Sequence, residues 1–284
     1  MYAVWVLAMG WKVRSTVSSV SLEFLLLQLG GLDIPGAGSL LAAVGRPVLL
    51  AACVGLGLSA FAALGTRLAR WIGCRAGPTA AAASVALGWF SASSAVQALG
   101  HCGLLFKPVV AGALVAAFAT AALSGPSMLA RDLGGFWREG SSAPLARIAV
   151  VCSFLLAALL AAIPFFVSDV STYHLGVPDG YLLAHKSYGN VWERSWHQGL
   201  ATEMIYLAAY AFGGVQAAKL VNVFFLAGIV LSTYALGRCL AGTAAGWWGA
   251  AMAASSGLVF ATVTQGKSDL GSVFAVTAAF ACAL

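Results

Sequence analysis

Side chains that could do acid–base or phosphate chemistry are concentrated in one polar segment, residues 168–204. This segment holds six of the 24 Asp, Glu, Lys and Arg residues and three of the four histidines. A connector between two helices needs only a handful of residues, and long connectors rich in titratable groups often carry function. We therefore expect a functional site here. The alternative is a passive loop whose tyrosines and tryptophans lie at a membrane–water interface.

Asp169 comes just after the apolar run 148–167 and is the first candidate within this segment. Desolvation and a nearby cation can tune the proton affinity of an acid at such a boundary, which suits a general base. An acid at a helix end that points into water is equally compatible with its position. Tyr173 would share a helical face with Asp169, and His174 follows it. A metal site built from Asp169 and His174 has too few ligands at any recognised spacing, so the metal question stays open.

Glu203 begins a second feature, in which Tyr206 and Tyr210 recur at helical spacing on the same face. The pattern predicts a short helix lying along the membrane surface and ended by Gly213 and Gly214. Glu203 is then either an acid directed toward the polar segment or a charge that favours the first turn of its helix.

Several cations could bind a phosphate group near this segment. Arg194 offers two-pronged contacts, whereas Lys186 is equally compatible with a water-facing charge. Lys219 lies in the first turns of an apolar run, where a charge is costly; it either extends to the surface or pairs with an acid or a lipid phosphate. Lys267 and Asp269 form a second small polar cluster between two later apolar runs.

The composition determines which elements must position these residues. Hydrophobic residues make up 61% of the chain and charged residues 8%, whereas globular proteins carry about a quarter charged residues. A chain with so few charges cannot cover a water-facing surface, so lipid must be its main solvent. The net charge of +6 comes from single Lys and Arg residues between apolar runs. No basic stripe with interleaved aromatics is present, which argues against nucleic-acid binding.

Apolar runs long enough to cross a membrane divide the chain into a polytopic, all-α transmembrane bundle. A crossing helix needs about 20 largely apolar residues. The strong candidates are 47–65, 79–99, 108–125, 148–167, 215–236 and 243–263, and the weaker ones are 16–32 and 269–284. The last run reaches Leu284 without a polar flank, which predicts that the chain is part of a longer protein.

Alternation of these spans assigns the charges to two sides. Nine Lys and Arg residues fall on one side: Lys12, Arg14, Arg67, Arg70, Arg75, Arg131, Arg138, Arg147 and Arg238. Six fall on the other: Arg46, Lys107, Lys186, Arg194, Lys219 and Lys267. The positive-inside rule makes the first side cytoplasmic, so the polar segment faces outward. We divide the chain into residues 1–147, with the first helices and a cytoplasmic loop, and residues 148–284, with an outer loop at 168–214.

Over about residues 165–284 the chain resembles bacterial GT-C membrane glycosyltransferases, most closely family 39 and its lipopolysaccharide-sugar-transferase-like branch. The run DVSTYHL from Asp169, then Pro178, Tyr181, the run EMIY from Glu203 and the span AAKLVNVFFLAGIVLSTYALGR carry the likeness. The resemblance implies a GT-C-like fold whose large extracytoplasmic loop carries short surface helices. It also implies transfer of a sugar from a polyprenyl-phosphate donor to a glycan or lipid acceptor, outside the bacterial inner membrane.

The resemblance further assigns roles to residues. Asp169 matches the family's catalytic base, and Asp269 resembles a second acid found in such proteins. The expected substrate-binding residues are Tyr173, His174, Arg194, Glu203, Lys219, Lys267 and Asp269, with a divalent metal ion as an open addition. The family often has two adjacent acids, whereas here Val170 follows Asp169.

Two other functional classes stay open. In a transporter or permease for a polar or lipid-linked solute, the intramembrane residues Glu23 and Lys219 would line the pathway. A membrane protein without catalytic activity is the third possibility.

Overall fold

The computed structural model describes residues 37–74, 76–124, 126–139, 142–162, 174–188 and 201–284. Throughout these ranges the regular structure is helical, with no strand. The chain divides into two compact units, residues 1–49 and 50–284, and the packing described below is that of the second unit. The predicted span at 16–32, with Glu23, lies outside the described residues.

The helices are numbered here in chain order. They are α1 (Ala37–Trp71), α2 (Pro78–His101), α3 (Lys107–Ser124), α4 (Pro126–Glu139), α5 (Pro144–Ala162), α6 (Gly176–Ala184), α7 (Ala201–Ala254), α8 (Gly257–Gln265) and α9 (Asp269–Ala283). Three of them begin at a proline, whose fixed φ suits a first helical turn and whose missing N–H is not needed there.

Four helical stretches in the described ranges are long and apolar enough to cross a membrane. They are Val48–Trp71, Pro78–His101, Pro144–Ala161 and Ala201–Ala254. Lys107–Thr120 and Asp269–Ala283 are shorter apolar helices. The predicted all-α architecture and the membrane-crossing character of its helices are confirmed in this form.

Helix α7 is interrupted twice, which divides it into stretches 201–213, 215–240 and 243–254. Gly214 has φ 62° and ψ −155°, a conformation that glycine adopts far more readily than other residues. Ala241 and Gly242 also leave helical geometry. The predicted end of a short helix at Gly213 and Gly214 is therefore confirmed.

The single span predicted over 243–263 is wrong in its continuity, because the helix ends at Ala254 and α8 begins at Gly257. Ser256 is extended, with φ −61° and ψ 125°. The Ser255 hydroxyl donates to the carbonyl oxygen of Ala251 at 2.7 Å. Such serine side chains compete with helical backbone bonds, and a glycine follows them here, so the sequence favours a break at this point.

Close backbone approach joins α1 to α2. A Cβ atom added at Gly88 would lie 2.1 Å from the carbonyl oxygen of Phe61, and one added at Gly65 would lie 1.9 Å from that of Ser84. Helices that pack in lipid use small residues in this way to bring their backbones together. Gly65 and Gly88 therefore serve packing at this crossing.

The core lies around the second stretch of α7, against which α2, α5 and α9 pack. Phe225 is fully buried there, and its ring lies edge-on to Trp89 of α2 with centroids 5.5 Å apart. Phe274 of α9 completes this aromatic group, 6.3 Å from Phe225. These contacts fix α9 against the middle of the bundle.

Two ion pairs mark one end of this unit, which we call the Arg238 end. Arg70 contacts Asp132 at 2.7 Å, and Arg238 contacts Glu139 at 2.9 Å. Glu139 also accepts a hydrogen bond from Tyr234. The sequence had assigned both arginines to the same side, and the structure pairs each of them with an acid of α4.

Candidate functional site

The opposite end, which we call the Glu203 end, is assembled from α2, α6, the start of α7 and the α8–α9 turn. Ser93 of α2 donates to the carbonyl oxygen of Ala201 at 2.6 Å, which ties α2 to the first residue of α7. The backbone N–H of Ser187, just after α6, donates to the carbonyl oxygen of Gly100 at 3.0 Å. The predicted polar segment is thus fastened to the bundle on both sides of residues 189–200.

The start of α9 packs directly against the start of α7. A Cβ atom added at Gly271 would lie 2.2 Å from the hydroxyl oxygen of Thr202. Only a residue without a side chain permits this approach. As a result Asp269, in the first turn of α9, belongs to the same end of the bundle as Glu203. This agrees with the sequence prediction that the two acids share one side.

A buried acid–imidazole pair lies at the centre of this end. Nδ1 of His174 is 3.0 Å from Oε1 of Glu203, and the two residues are 4% and 6% exposed. A buried charge needs a partner of opposite charge or several hydrogen bonds. An ionised carboxylate only accepts hydrogen bonds, so it requires a proton on Nδ1 and fixes the orientation of the ring. Glu203 is therefore an acid directed into the protein as well as a first-turn charge.

The helix that begins at Ala201 is confirmed, but its burial differs from that of a helix lying on a surface. Residues 202–207 are all buried. Met204 and Leu207 pack with Val177 and Tyr181 of α6, while Ile205 joins the main core. Helices on several sides therefore cover this stretch, which periodicity alone could not reveal.

A second hydrogen-bond network lies beside the acid–imidazole pair. The Tyr206 hydroxyl contacts Oδ1 of Asn222 and lies 2.9 Å from the carbonyl oxygen of Lys267. Nδ2 of Asn222 donates to the same carbonyl at 3.2 Å and to that of Thr262 at 3.3 Å. Tyr206 and Asn222 are fully buried. The network joins the first two stretches of α7 to the α8–α9 turn.

Asn222 was missed by the sequence analysis. A signal was present, because an amide in an apolar span is expensive unless it is hydrogen-bonded and often marks a functional place. Its partner Tyr206 was noted for its helical spacing from Glu203. The Gly214 break lies between them, so nothing in the local pattern indicated that the two side chains meet.

Lys219 lies one turn before Asn222 in the second stretch of α7 and is 1% exposed. This burial excludes the prediction that Lys219 extends to the surface. It is consistent with the other prediction, that the lysine pairs with another group, where that group lies inside the protein. Lys267 is partly exposed and Asp269 is exposed. The carboxylates of Asp269 and Glu203 both lie within electrostatic range of the Tyr206 hydroxyl. These residues thus surround the network with charges of both signs.

Helix α6 provides a short helix inside the predicted polar segment. Tyr181 of this helix is buried, and desolvation together with nearby Tyr188 raises the pKa of its hydroxyl. The ring of His185, at the end of α6, stacks on Phe106 with centroids 4.1 Å apart. Lys186 is exposed, which agrees with the reading of a water-facing charge.

Three of the predicted site residues, Asp169, Tyr173 and Arg194, lie outside the described residues. The structure brings His174 and Glu203 together, beside the backbone of Lys267 and the start of α9 at Asp269. Lys219 lies three residues before Asn222, a member of the Tyr206–Asn222 network. Across the described ranges no three His, Cys, Asp or Glu side chains come together as a metal site would require.

A scan against protein-family models gave no match, and searches of curated proteins and of solved structures gave none either.

Proposed function

We propose that this protein is a membrane glycosyltransferase. It moves a sugar from a polyprenyl-phosphate donor to a hydroxyl of a glycan or lipid acceptor, at the Glu203 end and on the outer side of the bacterial inner membrane. The observation that carries the proposal is the buried His174–Glu203 pair, because it lies at the end of an apolar bundle and only five residues after Asp169.

The reaction assigns each group one task. The bond between the sugar's anomeric carbon and the phosphate oxygen breaks, and the acceptor oxygen forms the new bond to that carbon. Asp169 takes the proton of the acceptor hydroxyl as general base. The polyprenyl phosphate leaves with its negative charge, which Arg194 or Lys267 would stabilise. A divalent metal ion beside that phosphate would supply the same charge stabilisation.

The His174–Glu203 pair acts as a positioning device in this proposal. Glu203 contacts His174, and His174 follows Asp169 by five residues. A catalytic base must stay within hydrogen-bond reach of the proton that it removes. Anchoring the residues that follow Asp169 to the start of α7 would restrict the movement of the base. The Tyr206–Asn222 network also holds this first stretch of α7, through its contacts with the α8–α9 turn.

A transporter is the second candidate, and the buried charge at Lys219 favours it. A lysine and an amide within one apolar helix are typical of substrate pathways, and the Gly214 break resembles the interrupted helices of many transporters. The polyprenyl-phosphate sugar itself would be a solute in this case. A non-catalytic membrane protein would show neither activity.

The test uses purified full-length protein in liposomes with a panel of radiolabelled polyprenyl-phosphate hexoses and pentoses. Transfer to acceptor is measured beside movement of the donor across the bilayer. Removal of a general base costs about 100-fold to 10,000-fold in rate, so Asp169→Asn should abolish measurable transfer. Glu203→Gln should reduce it less. Glu139→Gln removes an ion-paired acid at the Arg238 end and should leave the rate unchanged.

Each outcome decides between the candidates. Transfer that persists in Asp169→Asn would overturn the assignment of the base. Donor movement without transfer would favour the permease, and the absence of both activities across the panel would support a non-catalytic protein. Equal losses in Glu203→Gln and Glu139→Gln would indicate general damage to the fold.

A further inference from the structure

An apolar groove opens toward the Arg238 end, away from the Glu203 end. It has a volume of about 300 Å³ and lies between α4, α5 and the second stretch of α7. Its lining is entirely aliphatic or aromatic and includes Leu133, Trp137, Val151, Leu155, Ala227 and Val230. Leu155 is 67% exposed, and Trp137 is 43% exposed, so the groove is open along its outer side.

The groove lies within the depth of one membrane leaflet. Its lining on α5 extends from Val150 to Leu155, about 8 Å at the helical rise. Arg147 lies one turn before Val150, so the distance along α5 from Arg147 to Leu155 is about 12 Å. Half the hydrocarbon thickness of a bilayer is about 15 Å. An acyl chain that enters beside Arg147 would therefore pass along the groove and stay within one leaflet.

Charge at the mouth of the groove favours an anion. The guanidinium carbon of Arg147 lies 4.6 Å from the ring centroid of Trp137, itself a lining residue. Both carboxylates of α4 are already ion-paired, Asp132 with Arg70 and Glu139 with Arg238. Helices α4 and α5 carry three arginines, Arg131, Arg138 and Arg147, beside these two acids.

We propose that this groove binds an anionic phospholipid, with an acyl chain between α4, α5 and α7 and the phosphate on Arg147. Guanidinium groups are suited to phosphate because they donate two parallel hydrogen bonds. The apolar lining supplies affinity for any lipid chain, whereas the arginine supplies preference for negative headgroups. The site does not depend on the sugar-transfer proposal, because it shares no residue with the Glu203 end.

Native mass spectrometry of the full chain in detergent tests this site, with phosphatidylglycerol and phosphatidylcholine as probes. One Arg near a membrane surface contributes about fivefold to the binding of an anionic lipid. Arg147→Gln should therefore weaken phosphatidylglycerol binding by about fivefold and leave phosphatidylcholine binding unchanged. Arg147→Lys should retain most of the preference. Ala227→Phe, which fills the groove, should weaken binding of both lipids.

Arg131→Gln is the matched control, because it removes the same charge from an exposed position of α4. It should leave both affinities unchanged. Equal losses in Arg131→Gln and Arg147→Gln would overturn the site in favour of diffuse surface charge. Unaltered binding in Arg147→Gln would do the same. Tighter binding of undecaprenyl phosphate than of phosphatidylglycerol, lost in Ala227→Phe, would assign the groove to a polyprenyl lipid instead and overturn the proposed occupant.

Discussion

Nδ1 of His174 and Oε1 of Glu203 lie 3.0 Å apart, although 29 residues separate them in the chain. Both side chains are buried, so neither can exchange its partner for water without cost. The contact joins the residue just before α6 to the first turn of α7. A single substitution at either position can remove it.

A double-mutant cycle on this pair should reveal strong coupling. We expect Glu203→Ala and His174→Ala each to lower the free energy of unfolding, because each leaves a buried polar partner unsatisfied. The double variant should lose less than the sum, with a coupling energy of about 1–3 kcal/mol. Unfolding by a denaturing detergent, followed by tryptophan fluorescence, measures all four proteins. Strictly additive losses would show that the pair contributes nothing beyond its separate side chains.

The Tyr206 hydroxyl should matter more to stability than that of its neighbour on the same helix. Tyr206→Phe leaves the Asn222 amide oxygen without this donor, and an unsatisfied buried group costs about 1–3 kcal/mol. Tyr210 is only partly buried, so Tyr210→Phe should cost less. The same unfolding measurement compares the two variants. A larger loss for Tyr210→Phe would contradict the network described here.

The crossing of α1 and α2 should be intolerant of any added side chain. Gly88→Ala places a Cβ atom against the backbone of Phe61, which cannot rotate away. Overpacking of this kind costs about 1–3 kcal/mol or more. Gly55→Ala on α1 meets nothing within 4 Å and should leave stability unchanged or slightly raised, because alanine is the better helix former. Equal melting temperatures of the two variants would place the crossing elsewhere.

Oxidative cross-linking tests the path of α9. Cys74, between α1 and α2, and Cys282, near the end of α9, lie close enough for their thiols to interact. Copper phenanthroline should oxidise them to a disulfide, with loss of both thiol protons and reduction of the copper. The experiment uses a chain in which the other four cysteines are serine, and mass spectrometry detects the linked peptides. A chain that keeps only Cys53 and Cys282 is the control and should stay reduced.

The sequence predicted those parts of the molecule that depend on local chemistry. Apolar length predicted the helices, and Gly213 and Gly214 predicted the end of the first stretch of α7. The two arginines of the ion pairs at the Arg238 end had been assigned to one side by charge alternation. By contrast, the meeting of Tyr206 with Asn222 depends on the angle at Gly214, which spacing cannot indicate. The burial of Glu203 likewise depends on helices distant in the chain, and Asp169, Tyr173 and Arg194 remain predictions.

The carbonyl oxygen of Lys267 accepts a hydrogen bond from Asn222 and lies 2.9 Å from the Tyr206 hydroxyl, and a backbone carbonyl is the same in every amino acid. Replacement of the lysine side chain should therefore leave this acceptor in place. Insertion or deletion of one residue between 257 and 267 would move the acceptor away from both donors. Among natural variants of this protein, the length of that connection should accordingly be more constrained than the identity of residue 267.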